Sequence, residues 1–280
     1  MSQVDIPRAY LKFFENAYNK KRNFNESCDS VEIIAFGNSQ GDGCFDTRAL
    51  PKYFNACTRS QDLKYSFLMY EKLGSCLPNL KKIILFYSFI SPGFLLEDNR
   101  GEQGMALALN AYFDLQATFD DIYLESAAED LQGASTANFR EFEGVRGFFP
   151  NAYRTYFDEP YWESRRALDL LAFNAKTDAL PYLERFVQLA KERGHELYFV
   201  IPPNNPVFTD KVGRDSVDLH QHLYQAMRAH GLDEARCLLD LYHAQDVVGN
   251  DFADYNHIVP DSAATRLITQ KIVQMVESGT

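Results

Sequence analysis

Apolar positions along the chain follow two alternating patterns. Short runs rich in β-branched and aromatic residues read as strands: VEIIAF (31–36), KYFNAC (52–57), KKIILFYS (81–88), ELYFVIPP (196–203) and RCLLDLY (236–242). KYFNAC is the weaker run. KKIILFYS is nearly continuous, as expected of a strand covered on both faces of a parallel sheet. Stretches with helical spacing lie between the strands. Residues 60–75 align Leu63, Phe67, Tyr70 and Leu73 on one face, and residues 177–193 and 215–230 stop at Gly194 and Gly231. Residues 260–277 open Pro-Asp-Ser and carry Leu267, Ile268, Ile272 and Val276 as an apolar face. This alternation predicts an α/β fold, with a doubly wound, mainly parallel five-stranded sheet between two helical layers.

The rhythm breaks over about residues 96–175. This region is dense in aromatic residues, among them Tyr112, Phe113, Phe139, Phe148, Phe149, Tyr153, Tyr161 and Trp162. Loop signals stand at Gly101, Gly133, Gly144, Gly147 and Pro150. We read it as a helical and loop insertion between the third and fourth strands. No repeat or low-complexity linker divides the 280 residues, so residues 1–280 are expected to form one domain with that insertion.

Charge narrows the partners. Asp and Glu number 39 against 28 Lys and Arg, a formal charge of −11. Nucleic-acid binding needs clustered cations to neutralise phosphates, so no nucleic-acid partner is expected. The one short basic cluster, Lys20, Lys21 and Arg22, reads as a solvated helix end. Five cysteines, Cys28, Cys44, Cys57, Cys76 and Cys237, form no CxxC or Cys/His metal spacing. They are expected to be free thiols in a reducing compartment. With no apolar run of membrane-spanning length and no signal-peptide core at the start, the expectation is a cytoplasmic protein without an integral membrane segment, at most membrane-peripheral.

In open parallel sheets ligands bind at the carboxyl ends of strands. Three segments occupy such places: GNSQGDG (37–43), PPNNP (202–206) and the stretch from Asp240 to the last helix. Ser39 sits on a turn that exposes a side chain and gathers backbone N–H groups, a setting suited to a nucleophile beside an oxyanion. Serine needs a base, and His257 in Asp254-Tyr-Asn-His257 is the best candidate. The three-residue spacing lets Asp254 fold back on the imidazole and fix its tautomer, with Asp251 as a competitor. Asn204 and Asn205 stand at a pocket edge, where they bind a sugar or simply form a turn.

Other readings are weaker. GxxxxGK[ST] and GxGxxG are absent and Asp42 would repel an anion, so a phosphate cradle is disfavoured. Asp42 and Asp46 read as loop acids, and no metal is expected. Cys44 lacks a nearby histidine and reads as a buried structural thiol. His220 and His222, two apart on a predicted helix, read as surface residues.

GNSQ directly after the first strand, with Asp-x-x-His before the last helix, resembles the SGNH (GDSL-like) hydrolases and acyltransferases. The closest flavour is the branch that modifies surface polysaccharides. The resemblance implies a three-layer SGNH/flavodoxin-like fold, Ser39 as nucleophile, His257 as base and Asp254 as its partner. It also implies an oxyanion and substrate site around Gly37, Asn38, Gln40, Ser60 and Ser88. Two departures stand out. Ser60 falls where the family has a glycine, and FYSFISPG (86–93) lacks the family's asparagine, offering only Ser88 and Ser91. The function implied is transfer of an acyl group, most simply acetyl from acetyl-CoA, to a carbohydrate acceptor, with no permanently bound cofactor. A carbohydrate acetylesterase of the same fold, or a non-catalytic glycan- or nucleotide-binding module, are the alternatives. Oligomeric state is not legible.

Overall fold

The computed structural model describes residues 10–115, 117–119, 122–131, 136, 139–141, 144–150 and 169–278. Five parallel strands, β1 (Ile33–Phe36), β2 (Tyr53–Asn55), β3 (Lys82–Phe86), β4 (Glu196–Ile201) and β5 (Leu238–Asp240), form one sheet in the order β2-β1-β3-β4-β5. All five fall inside the predicted runs. β1 and β3 are buried along their whole length, which explains their unbroken apolar character. Helices flank the sheet in a three-layer α/β arrangement, as the strand–helix alternation predicts.

The helices described are α1 (Leu11–Ser27), α2 (Ser39–Cys44), α3 (Leu63–Gly74), α4 (Gln103–Phe113), α5 (Ile122–Leu131), α6 (Leu180–Glu192), α7 (Pro206–Val212), α8 (Ser216–Leu219), α9 (Gln221–Ala229), α10 (Glu234–Cys237) and α11 (Ala263–Ser278). α3 and α6 pack on each other and meet the sheet through Phe36, whose ring contacts Tyr70 and Phe186. α11 lies against α2, where Thr269 accepts the N–H of Asp46. α4 and α5 belong to the aromatic insertion, and α4 packs on α1 through edge-on contacts of Tyr112 with Phe14 and Tyr18. Gly133, Phe142, Tyr153, Tyr156, Phe157, Tyr161 and Trp162 lie outside the described residues.

β2 is an edge strand, and a piece of the insertion covers it. Asn55 N–H donates to Arg146 O at 2.9 Å, and Thr47 Oγ1 donates to the same carbonyl. Gly147 has φ +83°, and a Cβ there would stand 2.0 Å from Asn55 O. Only glycine lets the segment approach the edge so closely.

The reading of Lys20, Lys21 and Arg22 as a solvated helix end is corrected. Lys20 is fully buried and pairs with Asp42 Oδ1 at 2.7 Å. Its ammonium also donates to Asn55 O and Gly147 O. Lys21 lies over the rings of Phe24 and Phe113, and Arg22 pairs with Glu141 at 2.8 Å. The cluster is thus part of the fold rather than a free basic patch. No helix among the described residues is long and apolar enough to cross a membrane.

His220 is the second correction. The predicted helix 215–230 is broken there into α8 and α9, and the ring is wholly buried. It stands edge-on to Tyr87 and Tyr242, and its Nδ1 bonds Ser216 O at 2.8 Å. Burial lowers its pKa to about 4, against the smaller opposing pull of the Ser216 bond and the Asp240 charge. The folded protein therefore keeps His220 neutral where the unfolded chain has begun to protonate it, near pH 6.5. Stability contributed by this residue is intact above pH 6.5 and is lost on acidification towards pH 4, by up to about 3 kcal/mol. Urea unfolding at stepped pH should show this slope in the parent and a shallower one in His220→Gln. Equal slopes would refute the assignment.

Candidate active site

The sheet order reverses at β1, which has β2 on one side and β3 on the other. The carboxyl end of β1 is therefore the switch point of the fold, where open α/β sheets leave a crevice. Gly37 makes the turn there. Its φ is +143°, and a Cβ would lie 2.6 Å from Phe86 Cβ and 2.9 Å from Phe86 O, so the turn can press against β3 only with glycine. Asn38 then caps α2, accepting the N–H of Gln40 at 3.0 Å, and Ser39 opens the helix.

Ser39 Oγ lies 2.6 Å from His257 Nε2, and His257 Nδ1 lies 2.6 Å from Asp254 Oδ2. The other Asp254 oxygen accepts the backbone N–H groups of Asn256 at 2.8 Å and His257 at 2.7 Å. Burial by itself pushes the Asp254 carboxyl up. The facing His257, its hydrogen bond and the two backbone donors outweigh this and hold the carboxyl below its ordinary value. Asp254 is therefore an anion, which makes His257 Nδ1 the donor and leaves Nε2 to accept the Ser39 proton. Asp251, the competitor, instead accepts the N–H of Val248.

The remaining predicted site residues divide by what their side chains touch. Asn38 Nδ2 donates to Ser88 Oγ at 3.1 Å, and Ser88 pairs further with Ser91. Ser88 thus braces the residue before Ser39. Ser60 stands at φ +56°, a left-handed conformation that favours glycine, and its hydroxyl donates to Glu102 at 2.8 Å. The turn that carries it is fastened beside the turn that carries Ser39, since Thr58 N–H donates to Gly37 O at 3.1 Å. The Ser60 hydroxyl is thus engaged by Glu102.

Asn205 caps α7 by accepting the N–H of Val207, and it donates from Nδ2 to Asp254 O. Asn204 is buried, with Nδ2 on Pro202 O at 3.4 Å and Oδ1 without a protein partner among the described residues. Gln40 is buried and donates to Asn256 O at 3.1 Å and Pro203 O at 3.5 Å.

Sequence reasoning missed several supports. Asn55, inside the weaker strand run, donates to Gly41 O and Phe45 O at 3.0 and 2.9 Å and so holds the last turn of α2. A polar residue within an apolar strand was the available signal. Arg48 pairs with Asp46 and Asp261, stacks on Phe148, and ties the exit of α2 to the start of α11. Lys20 carried no local signal.

All five cysteines are free, and burial raises the Cys44 and Cys57 thiols well above their ordinary range. Among the described residues no three His, Cys, Asp or Glu side chains cluster as a metal site. No family model matches the chain, and no curated protein matches it.

Proposed function

We propose that the protein is a serine-dependent O-acyltransferase of SGNH type, acting on a carbohydrate hydroxyl with acetyl as the most economical acyl group. The observation that carries this reading is the unbroken chain Ser39 Oγ–His257 Nε2, His257 Nδ1–Asp254 Oδ2, with both links at 2.6 Å. A serine in that setting is an acyl acceptor and donor.

His257 Nε2 takes the Ser39 proton as Oγ bonds to the acyl carbonyl carbon. Backbone N–H groups of Ser39 and of the turn at Ser60 are the donors we assign to the developing oxyanion. Collapse breaks the bond to the leaving group, which takes the proton from His257. A sugar hydroxyl then enters, gives its proton to His257, and attacks the acyl-serine carbonyl. Ser39 leaves and recovers the proton, and the acyl group ends on the sugar oxygen. Acetyl-CoA is the donor we assign, since five unpaired cysteines suit a reducing compartment where that thioester is at hand.

The test is incubation with acetyl-CoA, with and without a panel of oligosaccharides. CoA release that depends on glycan, with acetylated glycan as product, supports the proposal. Release of free acetate regardless of glycan points to an esterase. Glycan binding with neither product points to a binding module.

A further inference from the structure

Where the base stands relative to Ser39 depends on what fastens the loop that carries it. Each carbonyl of residues 254–257 has a donor. Asp254 O and Tyr255 O take Asn205 Nδ2 and Asn205 N–H, at 3.3 and 2.9 Å. His257 O takes Ala253 N–H at 2.7 Å. Asn256 O takes Gln40 Nε2 at 3.1 Å. Only that last bond comes from the element that bears the nucleophile.

Gln40 follows Ser39 directly, and Asn256 precedes His257 directly. The bond therefore links the residue after Ser39 to the residue before His257. It grips the carbonyl of the same peptide whose N–H is held by Asp254 Oδ1 at 2.7 Å. Both polar atoms of the Asn256–His257 peptide are thus fixed, one to the nucleophile turn and one to the triad acid. Gln40 is 2 % exposed, and its Oε1 has no protein donor among the described residues. A side chain present only to fill space would be better served by an apolar group, which leaves no buried acceptor unmet.

We propose that Gln40 is a positioning residue that locks the base loop to the nucleophile turn and so sets the reach between Ser39 Oγ and His257 Nε2. This rests on the serine-nucleophile reading above. The contribution is geometric, because small displacements of reacting groups cost large factors in rate.

Gln40→Met keeps length and volume but removes the donor. Gln40→Asn keeps the amide but shortens its reach. Both are expected to lower kcat about 100-fold with KM within about twofold, and to slow phosphonylation of Ser39 by a fluorophosphonate to the same degree. The downfield proton resonance of His257 Nδ1 should persist, since Asp254 lies on the same loop. Melting by circular dichroism reports whether each variant is folded. A folded Gln40→Met with parental kcat and labelling rate overturns the proposal. A raised KM with unchanged kcat overturns it too, by assigning Gln40 to substrate binding. Ser39→Ala run alongside separates the two levels: turnover surviving in Ser39→Ala refutes the serine reading itself. An inactive Ser39→Ala beside an active Gln40→Met refutes only the role of Gln40.

Discussion

Ser39→Ala is expected to lower kcat for acyl transfer by about 10⁴-fold or more while leaving the melting temperature near the parental value. The side chain contributes its hydroxyl to His257 and little else, so its loss removes the proposed nucleophile without opening a cavity in the core. Asp254→Asn should come close to the same loss by another route. An amide facing His257 Nδ1 removes the anion that fixes the proton on that nitrogen, and the wrong tautomer places a hydrogen where Ser39 must deliver one. Asp254→Asn also weakens the loop, because Oδ1 and Oδ2 serve three donors between them. Steady-state kinetics on any acyl substrate the parent turns over, with circular dichroism as a folding control, decides both. A Ser39→Ala enzyme with parental turnover would remove the triad from the account.

Lys20→Met is expected to destabilise the protein by about 3–5 kcal/mol. The Lys20 and Asp42 side chains are 0 % and 1 % exposed, so removing the cation leaves a carboxylate in the interior with its ion partner gone. Two carbonyls, Asn55 O and Gly147 O, lose their donor at the same time. Asp42 lies on α2 one turn beyond Ser39, and Gly147 belongs to the insertion, so the pair connects α1, α2 and the insertion. Adding Asp42→Asn to Lys20→Met should restore part of the loss, because the uncompensated charge is then gone. Denaturant unfolding of the two single variants and the double variant gives the coupling. A Lys20→Met protein as stable as the parent would show that the ammonium is not needed in the interior.

The difference between these two sites shows what local pattern can convey. The strands are legible because burial on both faces forces runs such as IIAF and KIILF to be apolar throughout. The triad is legible because each member stands where topology puts it: Ser39 after the first strand, Asp254 and His257 before the last helix, with a spacing that brings carboxylate to imidazole. Lys20 is illegible for the opposite reason. Its neighbours Lys21 and Arg22 resemble any solvated helix end, and its partners lie 22, 35 and 127 positions away. Burial of His220 is likewise set by Tyr87 and Tyr242, which follow β3 and β5, and not by its spacing from His222. Gln40, Ser88 and Asn205 follow strands as the sequence places them, and their side chains contact Asn256, Asn38 and Asp254. Which neighbouring loop an amide or hydroxyl reaches depends on side-chain reach across elements, which spacing along the chain does not convey. Ser60 is a related case. The turn requires a left-handed residue, and the chain places serine there rather than glycine.

The central claim is that Ser39 Oγ forms the covalent acyl intermediate. Intact-protein and peptide mass spectrometry after brief exposure to acetyl-CoA, quenched in acid, tests it directly. The account predicts a single added acetyl group on the peptide containing Ser39, absent in Ser39→Ala and in His257→Ala. Acetyl incorporation that persists in Ser39→Ala, or that maps to Cys28 or Cys76 instead, would contradict it.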